Sequence, residues 1–464
     1  MSTSFYTISR FQNRSNGLQE LLCISGPTVR FDPAMCLSFL PANACQLPFL
    51  IARGYFEKIG IEDGVDKIDD VFRLFCMTQQ ILRKRFLLLF LACFLGINLL
   101  GTSATDSEER KLSDLLDQLR KEVGAPGAVL GVSSPDGRCV VVASGMADRE
   151  TGRSMTPETP YYIGSATKTY TAVTILRLVE KGRLSLDDTL DHFLPAFPDG
   201  AKIQVRHLLA QTSGLKDFYA YFYYRPNRDE MIEFVTKRWS QDELIQLSGR
   251  FGRWFEPGTD WDYSSTNYFL LGVLIERAGG LSLSEAYRTY IYEPLGIKHT
   301  WLPKHEKERG QLPTGYMGHF EGWKHSEMFG ELAATTVLDR STAELSAGGL
   351  AAPAEENIRF LRAVIDKELL STDSFKAMTQ FRSTPALGFS DSKPAPGDSD
   401  GYGLGLVQMK RSGFTLLGHG GMYNGHTAGM WHVSECGKTI SVYFNRAFVN
   451  QNDVIDRILP AICE

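Results

Sequence analysis

The chain has 464 residues, 43% hydrophobic and 22% charged, with 28 Phe and 18 Tyr. That is more than one ordinary domain's length, with the composition of a globular protein able to build a core. The formal net charge is −5, and no basic block lies beyond a short cluster near residue 84, which excludes the electrostatic footprint of a nucleic-acid partner.

Residues Met1–Cys76 show no sustained periodicity and carry no assignable element. Met77 stands ahead of Arg83-Lys84-Arg85, an apolar run from Phe86 to Leu100, and Gly101-Thr102-Ser103-Ala104. A basic cluster, an apolar run and small residues in that order form a signal peptide, and the run is short for a membrane span. The reading is that translation starts at Met77, that 1–76 is an upstream extension of the start-site assignment, and that 77–104 is removed near Ala104 on export to the periplasm or medium. The alternative is an uncleaved anchor with a cytoplasmic extension, which would make the membrane a partner through the leader alone. Five of the eight cysteines precede Ala104; Cys139, Cys436 and Cys463 remain, enough for at most one bridge and without metal-ligand spacing.

Glu108–Val123 reads as an amphipathic helix with Leu112, Leu115, Leu116 and Leu119 on one face. Gly127–Ser134 and Arg138–Gly145 form a hairpin pattern around Pro135-Asp136-Gly137. Tyr161–Tyr170 then opens a helix whose Val173, Leu176 and Val179 recur on one face up to a stop at Gly182. Ser165 and Lys168 share a face one turn apart at its start. A serine hydroxyl needs a neighbour to take its proton, a partly desolvated lysine can do so, and a helix N-terminus favours a developing oxyanion. Alone, the pair is equally a capping serine and a solvated lysine.

From 185 to about 345 the pattern turns helical and loop-rich. Ser185–Asp188 and Ser240–Glu243 resemble helix-start boxes, and Val205–Thr212 reads as a short helix closed by Gly214. The cluster Phe218, Tyr219, Tyr221, Phe222, Tyr223, Tyr224 is either a packing patch or a cleft wall. Tyr263-Ser264-Ser265 opens a helix over Phe269–Ala278. A tyrosine beside an ammonium can have a lowered pKa and relay protons. Trp301–Thr342 reads as a surface insertion, Pro353–Lys367 as a helix and Thr384–Asp400 as a loop. Strand patterns follow at Phe414–Gly421, Thr427–Val433 and Thr439–Asn445, with a closing helix at Val454–Ile462. His419-Gly420-Gly421 ends the first of these strands, and its glycines allow close approach by a ligand. His419, His426 and His432 lack an accompanying carboxylate or cysteine pattern, so no metal site is expected.

Strands grouped at both ends predict an α+β fold. One antiparallel sheet of five or more strands, flanked by helices, is expected from 105–184 and 346–464, with a mostly helical insertion at 185–345.

Taken together, Ser165-Ala-Thr-Lys168, Tyr263-Ser-Ser265 and His419-Gly-Gly421 resemble, in that order, the motifs of the serine β-lactamase-like hydrolases. That family includes class C β-lactamases, D-Ala-D-Ala carboxypeptidases, D-aminopeptidases and esterases. Connecting phrases share the likeness, among them Gln211-Thr-Ser-Gly-Leu215, Ala347-Gly-Gly349 and Gly401-Tyr-Gly-Leu-Gly405. The resemblance implies a β-lactamase/transpeptidase-like fold, with Ser165 as acylated nucleophile, Lys168 as proton acceptor and Tyr263 as relay to the leaving group. It implies an oxyanion hole from the backbone N–H groups of Ser165 and Met422, and substrate contacts from Ser265, His419, Gly420 and Gly421. It implies no metal or organic cofactor, and a small-molecule or peptide substrate, cell-wall-derived fragments among the candidates. Two departures stand out. Ser265 replaces the family's frequent asparagine, and Gly420 removes a hydroxyl from the third motif. Both weaken recognition of a lactam amide and a substrate carboxylate, and shift the expectation toward a peptidase or esterase. A non-catalytic penicillin-binding-like sensor is the alternative.

Overall fold

The computed structural model describes residues 7–11, 21–25, 107–224, 230, 233–234, 236–318, 333–335, 345–384 and 399–463. The chain divides into two units, Met1–Ser103 and Ala104–Glu464. In the first, Thr7–Phe11 pairs antiparallel with Leu21–Ser25, where the sequence suggested no element. The basic cluster and apolar run at 83–100 lie outside the described residues.

The second unit is built on one antiparallel sheet of nine strands: β1 (Gly127–Ser133), β2 (Cys139–Asp148), β3 (Arg153–Ser154), β4 (Arg382–Thr384), β5 (Ser399–Tyr402), β6 (Val407–Arg411), β7 (Phe414–Tyr423), β8 (His426–Val433) and β9 (Lys438–Phe444). Their order is β4-β5-β6-β7-β8-β9-β1-β2-β3. The pairing of β9 with β1, Val442 opposite Leu130 and Phe444 opposite Ala128, joins the two ends of the unit. β1 is buried along its whole length, because both sheet faces are covered and successive side chains point to opposite sides. Val129, Met430 and Tyr443 enter a core shared with the insertion. Ala128, Leu130, Trp431, Val433 and Ile440 enter a second core with Leu112, Leu116, Ile455 and Leu459 from the terminal helices.

Those terminal helices are α1 (residues 107–122) and α7 (Gln451–Cys463). Cys436, in the turn between β8 and β9, is disulfide-bonded to Cys463 of α7. Between β3 and β4 run α2 (Thr167–Glu180), α3 (Phe218–Tyr224), α4 (Gln241–Arg250), α5 (Ser265–Gly279) and α6 (Ala354–Ile365).

Several expectations change. The first ten residues of α2 are all buried rather than one stripe. The helix is embedded, and its threonines bond inward: Thr169 Oγ1 to Gly405 O at 2.8 Å and Thr171 Oγ1 to Ser346 O at 2.7 Å. The Ser240 box does open a helix, with both reciprocal bonds formed. Ser185–Asp188 closes a turn instead, Ser185 N donating to Asp188 Oδ2 at 2.7 Å. Trp301 is fully buried and exchanges backbone bonds with Ala351 at 3.0 and 2.9 Å, so this part of the expected surface insertion belongs to the interior. Residues 319–332 and 336–344 lie outside the described residues. So does most of the expected 384–400 loop, but its flanks form the edge pair β4–β5.

Candidate active site

The residues of the three motifs converge on the N-terminus of α2. Ser165 lies in a single 3-10 turn, Gly164–Ala166, that runs directly into α2. It is half-buried, while the flanking residues from Tyr161 to Tyr170 are buried, so its hydroxyl is the opening in an otherwise closed segment. The i, i+3 relation brings Lys168 Nζ to 3.1 Å from Ser165 Oγ. Lys168 is fully buried. Its Nζ also donates to Ala347 O at 2.7 Å, is 3.3 Å from Ser265 Oγ, and lies 5.0 Å from the Tyr263 ring centroid.

Tyr263 stands in the loop before α5, next to the capping Ser264, and Ser265 is the first residue of that helix. The Tyr263 hydroxyl is buried without a partner in hydrogen-bond geometry among the described residues. Burial holds its pKa well above the ordinary phenol value, and the Tyr402 phenol adds to this. Ser165 is near enough to oppose it. The lowered pKa expected beside an ammonium is therefore corrected: burial penalises the phenolate, and Tyr263 is a neutral hydroxyl at physiological pH.

Strand β7 supplies the facing wall. β6 pairs with it only as far as Gly418, and β8 covers its other side through Tyr423. From His419 to Tyr423 one edge therefore carries no described strand. This segment runs against the Ser165 turn so closely that side chains are excluded. A Cβ on Gly164, whose φ is +53°, would lie 2.5 Å from Met422 N, and one on Gly421 would lie 2.6 Å from Ser165 N. Gly164 and Gly421 are thus the condition for bringing the backbone amides of Ser165 and Met422 to one place.

His419 is fully buried. Its Nδ1 faces Gly420 O and its Nε2 lies 3.3 Å from the Tyr402 hydroxyl. With Nδ1–H donated to the carbonyl, Nε2 accepts from the phenol, which fixes the neutral tautomer. Burial, then the Lys168 charge, push its pKa down to about 3. The positive charge that a lysine would supply at this position is absent. Gly420 does not face the cleft: its Cβ direction points to Gln451 of α7, behind the sheet.

Four groups in the site carried no catalytic expectation. They are the Ala347 carbonyl, Tyr402, Gln211 and Asp217. The first three fall in phrases that the sequence presented only as connectors. Asp217 accepts from Ser265 N at 2.9 Å through Oδ2, and from Tyr219 N at 2.8 Å and Ala220 N at 3.2 Å through Oδ1. It thereby ties the start of α3 to the start of α5. Burial raises its pKa, while the Ser265 amide and the Lys168 charge pull it down. Of the aromatic cluster, Phe218 is packing, set edge-on to Phe234 and Phe269. The side chains of Phe222, Tyr223 and Tyr224 lie outside the described residues.

A hydroxyl with an amine one turn away, a phenol over that amine, and a glycine-edged strand bringing a second amide to the hydroxyl's own define a serine hydrolase. The beta-lactamase family model matches residues 112–462, and the chain belongs to that family. It is 27% identical over 343 residues to the putative penicillin-binding protein PbpX of Bacillus subtilis (strain 168), covering 74% of each chain. It is 32% identical over 213 residues to esterase EstB of Burkholderia gladioli, covering 44% of this chain and 54% of that one. Among solved structures, D-amino acid amidase from Ochrobactrum anthropi SV3, complexed with L-phenylalanine amide, superposes with a TM-score of 0.65 at 27% identity, over 77% of this chain and 98% of that one.

Proposed function

We propose that the protein is an exported hydrolase that cleaves a small amide or ester through an acyl-enzyme on Ser165. Ser165 Oγ attacks the carbonyl carbon and its proton passes to the unprotonated amine of Lys168. The oxyanion is held by the N–H groups of Ser165 and Met422. Collapse breaks the bond to the leaving amine or alcohol, which takes a proton relayed through the neutral Tyr263 hydroxyl. Water then attacks the acyl ester by the reverse proton path, releasing the acid and free serine. Ser265 and the open β7 edge from His419 to Gly421 orient the substrate. The observation that carries this reading is the 3.1 Å approach of Lys168 Nζ to Ser165 Oγ in a fully buried setting.

The uncharged His419 narrows the substrate. A carboxylate beside the scissile bond, as in β-lactams and acyl-D-Ala-D-Ala peptides, gains no ion pair there. The favoured substrates are carboxylic esters and D-amino-acid amides or peptides. The esterase and amidase relatives support this choice. Export is supported by the leader pattern at 77–104 and by the Cys436–Cys463 bridge, a bond kept in oxidising compartments.

The test is a panel of nitrocefin, short-chain nitrophenyl esters, D-amino-acid anilides and an acyl-D-Ala-D-Ala peptide, run beside an active-site serine probe. Turnover of esters or anilides, with labelling lost in Ser165→Ala, is expected. Labelling that persists in that variant removes Ser165 from the role. A stoichiometric adduct that never turns over replaces the enzyme with a sensor. Mass spectrometry of the mature N-terminus, expected near Thr105, tests export.

A further inference from the structure

Gln211 is fully buried and has a left-handed backbone, φ +61°, a conformation that residues with a Cβ adopt rarely. Strain of this kind persists where surrounding contacts over-determine it, and it collects at functional sites. Three of its contacts lead to the segment that carries Tyr263, the loop end and the first turn of α5. Asp262 N donates to Gln211 O at 3.2 Å. Ser264 N donates to Gln211 Oε1 at 3.1 Å, and Asn267 Nδ2 donates to the same oxygen at 2.5 Å. These three bonds bracket Tyr263 on both sides.

The orientation of the amide is determined. Ser213 Oγ donates to Asn267 Oδ1 at 2.5 Å, so Asn267 presents its NH2 to Gln211. Together with the Ser264 amide this requires Oε1, not Nε2, on that side. Nε2 is left buried and without a partner in hydrogen-bond geometry among the described residues. The Gln211 side chain acts on the Tyr402 hydroxyl, which in turn faces His419. One residue thus grips the segment that carries the phenol on both sides of it.

We propose that Gln211 is the positioning residue for Tyr263, holding the phenol in register with Ser165. The inference rests on the relay role assigned above to Tyr263. In kinetic terms, a slack loop misplaces the relay hydroxyl without removing it, and small misplacements of a catalytic group cost up to about 100-fold.

The test is a double-mutant cycle on single-turnover acylation by a nitrophenyl ester. Gln211→Met keeps the volume and removes the bonds to Oε1. It should slow acylation about 10- to 100-fold with KM within about threefold of wild type. In a Tyr263→Phe background the same change should cost less than about threefold. Gln211→Glu, which keeps the acceptor for Ser264 and Asn267, should recover most of the rate. Gln211→Asn, one methylene shorter, replaces the methionine variant if that protein does not fold, with the same split expected. An equal loss in both backgrounds, or no loss in either, overturns the positioning role. An unchanged rate for Tyr263→Phe alone overturns the relay reading, and the positioning role with it.

Discussion

Gly420 and Gln451 compete for one space: a Cβ on Gly420 would lie 2.7 Å from Gln451 Oε1. Gln451 Nε2 also donates to Gly421 O at 3.3 Å, so α7 supports the site strand from behind the sheet. The hydroxyl missing from the third motif leaves no gap, because an amide from the C-terminal helix fills the place. Gly420→Ser should therefore destabilise the fold by about 1–3 kcal/mol, the usual range for overpacking, and Gln451→Ala should relieve part of that loss. Urea midpoints of the two single variants and the double variant measure it. Additive losses would show that the two positions are independent.

Lys168→Ala should slow acylation by about 1,000-fold or more, since the only amine near Ser165 Oγ among the described residues is removed. Tyr263→Phe should cost less, about 10- to 100-fold, because the lysine still accepts the serine proton. Burst kinetics with a nitrophenyl ester separate this step from deacylation. Equal rates for wild type and Lys168→Ala would exclude lysine as the base.

His419 ties stability to pH. Its folded pKa is about 3 against about 6.5 unfolded, so the unfolded state binds the extra proton. The neutral-histidine contribution is complete above pH 6.5 and lost as pH falls from there toward 3. The loss is roughly 1.4 kcal/mol per pH unit, or about 2 kcal/mol on going from pH 7 to 5. Denaturant midpoints of wild type and His419→Asn at the two pH values should differ by about that amount. An identical pH response would place the imidazole in a more polar setting. For the same reason, no inflection near pH 6.5 in the rate profile is expected from this residue.

The Cys436–Cys463 bridge closes a loop of 27 positions. Cross-linking a loop of that length stabilises by about 3–4 kcal/mol in the chain-entropy estimate. Cys436→Ser should lose most of this in urea unfolding, and added reductant should then have no further effect. Wild-type stability unchanged by reductant would show that the bridge contributes little.

What could be read in advance depended on distance along the chain. Ser165 and Lys168 were legible because three residues of helix bring them together. The sheet was legible as well, since strand patterns cluster at both ends of the second unit. Tyr263 and His419 are about 95 and 250 positions further on, and only the resemblance attached them to the site. The Ala347 carbonyl has no side-chain signature at all. Gln211 and Tyr402 looked like connector residues because their contacts are tertiary. The Tyr263 pKa was misjudged because proximity to a charge is readable from a motif, whereas the burial that raises it is not. Trp301 was misplaced for a similar reason: its flanking prolines and glycines suggest a loop, but its indole is packed inside.

The seam between β1 and β9 has a consequence for biosynthesis. Gly127 N donates to Asn445 Oδ1 across 318 positions, so a ribosome must add all of that intervening chain before this seam can close. Until then β1 offers a bare, apolar edge to any neighbouring nascent chain, and pairing over such a span is slow. Stop codons ahead of Lys438 should accordingly yield insoluble protein, even though every residue proposed for the chemistry would already have been translated.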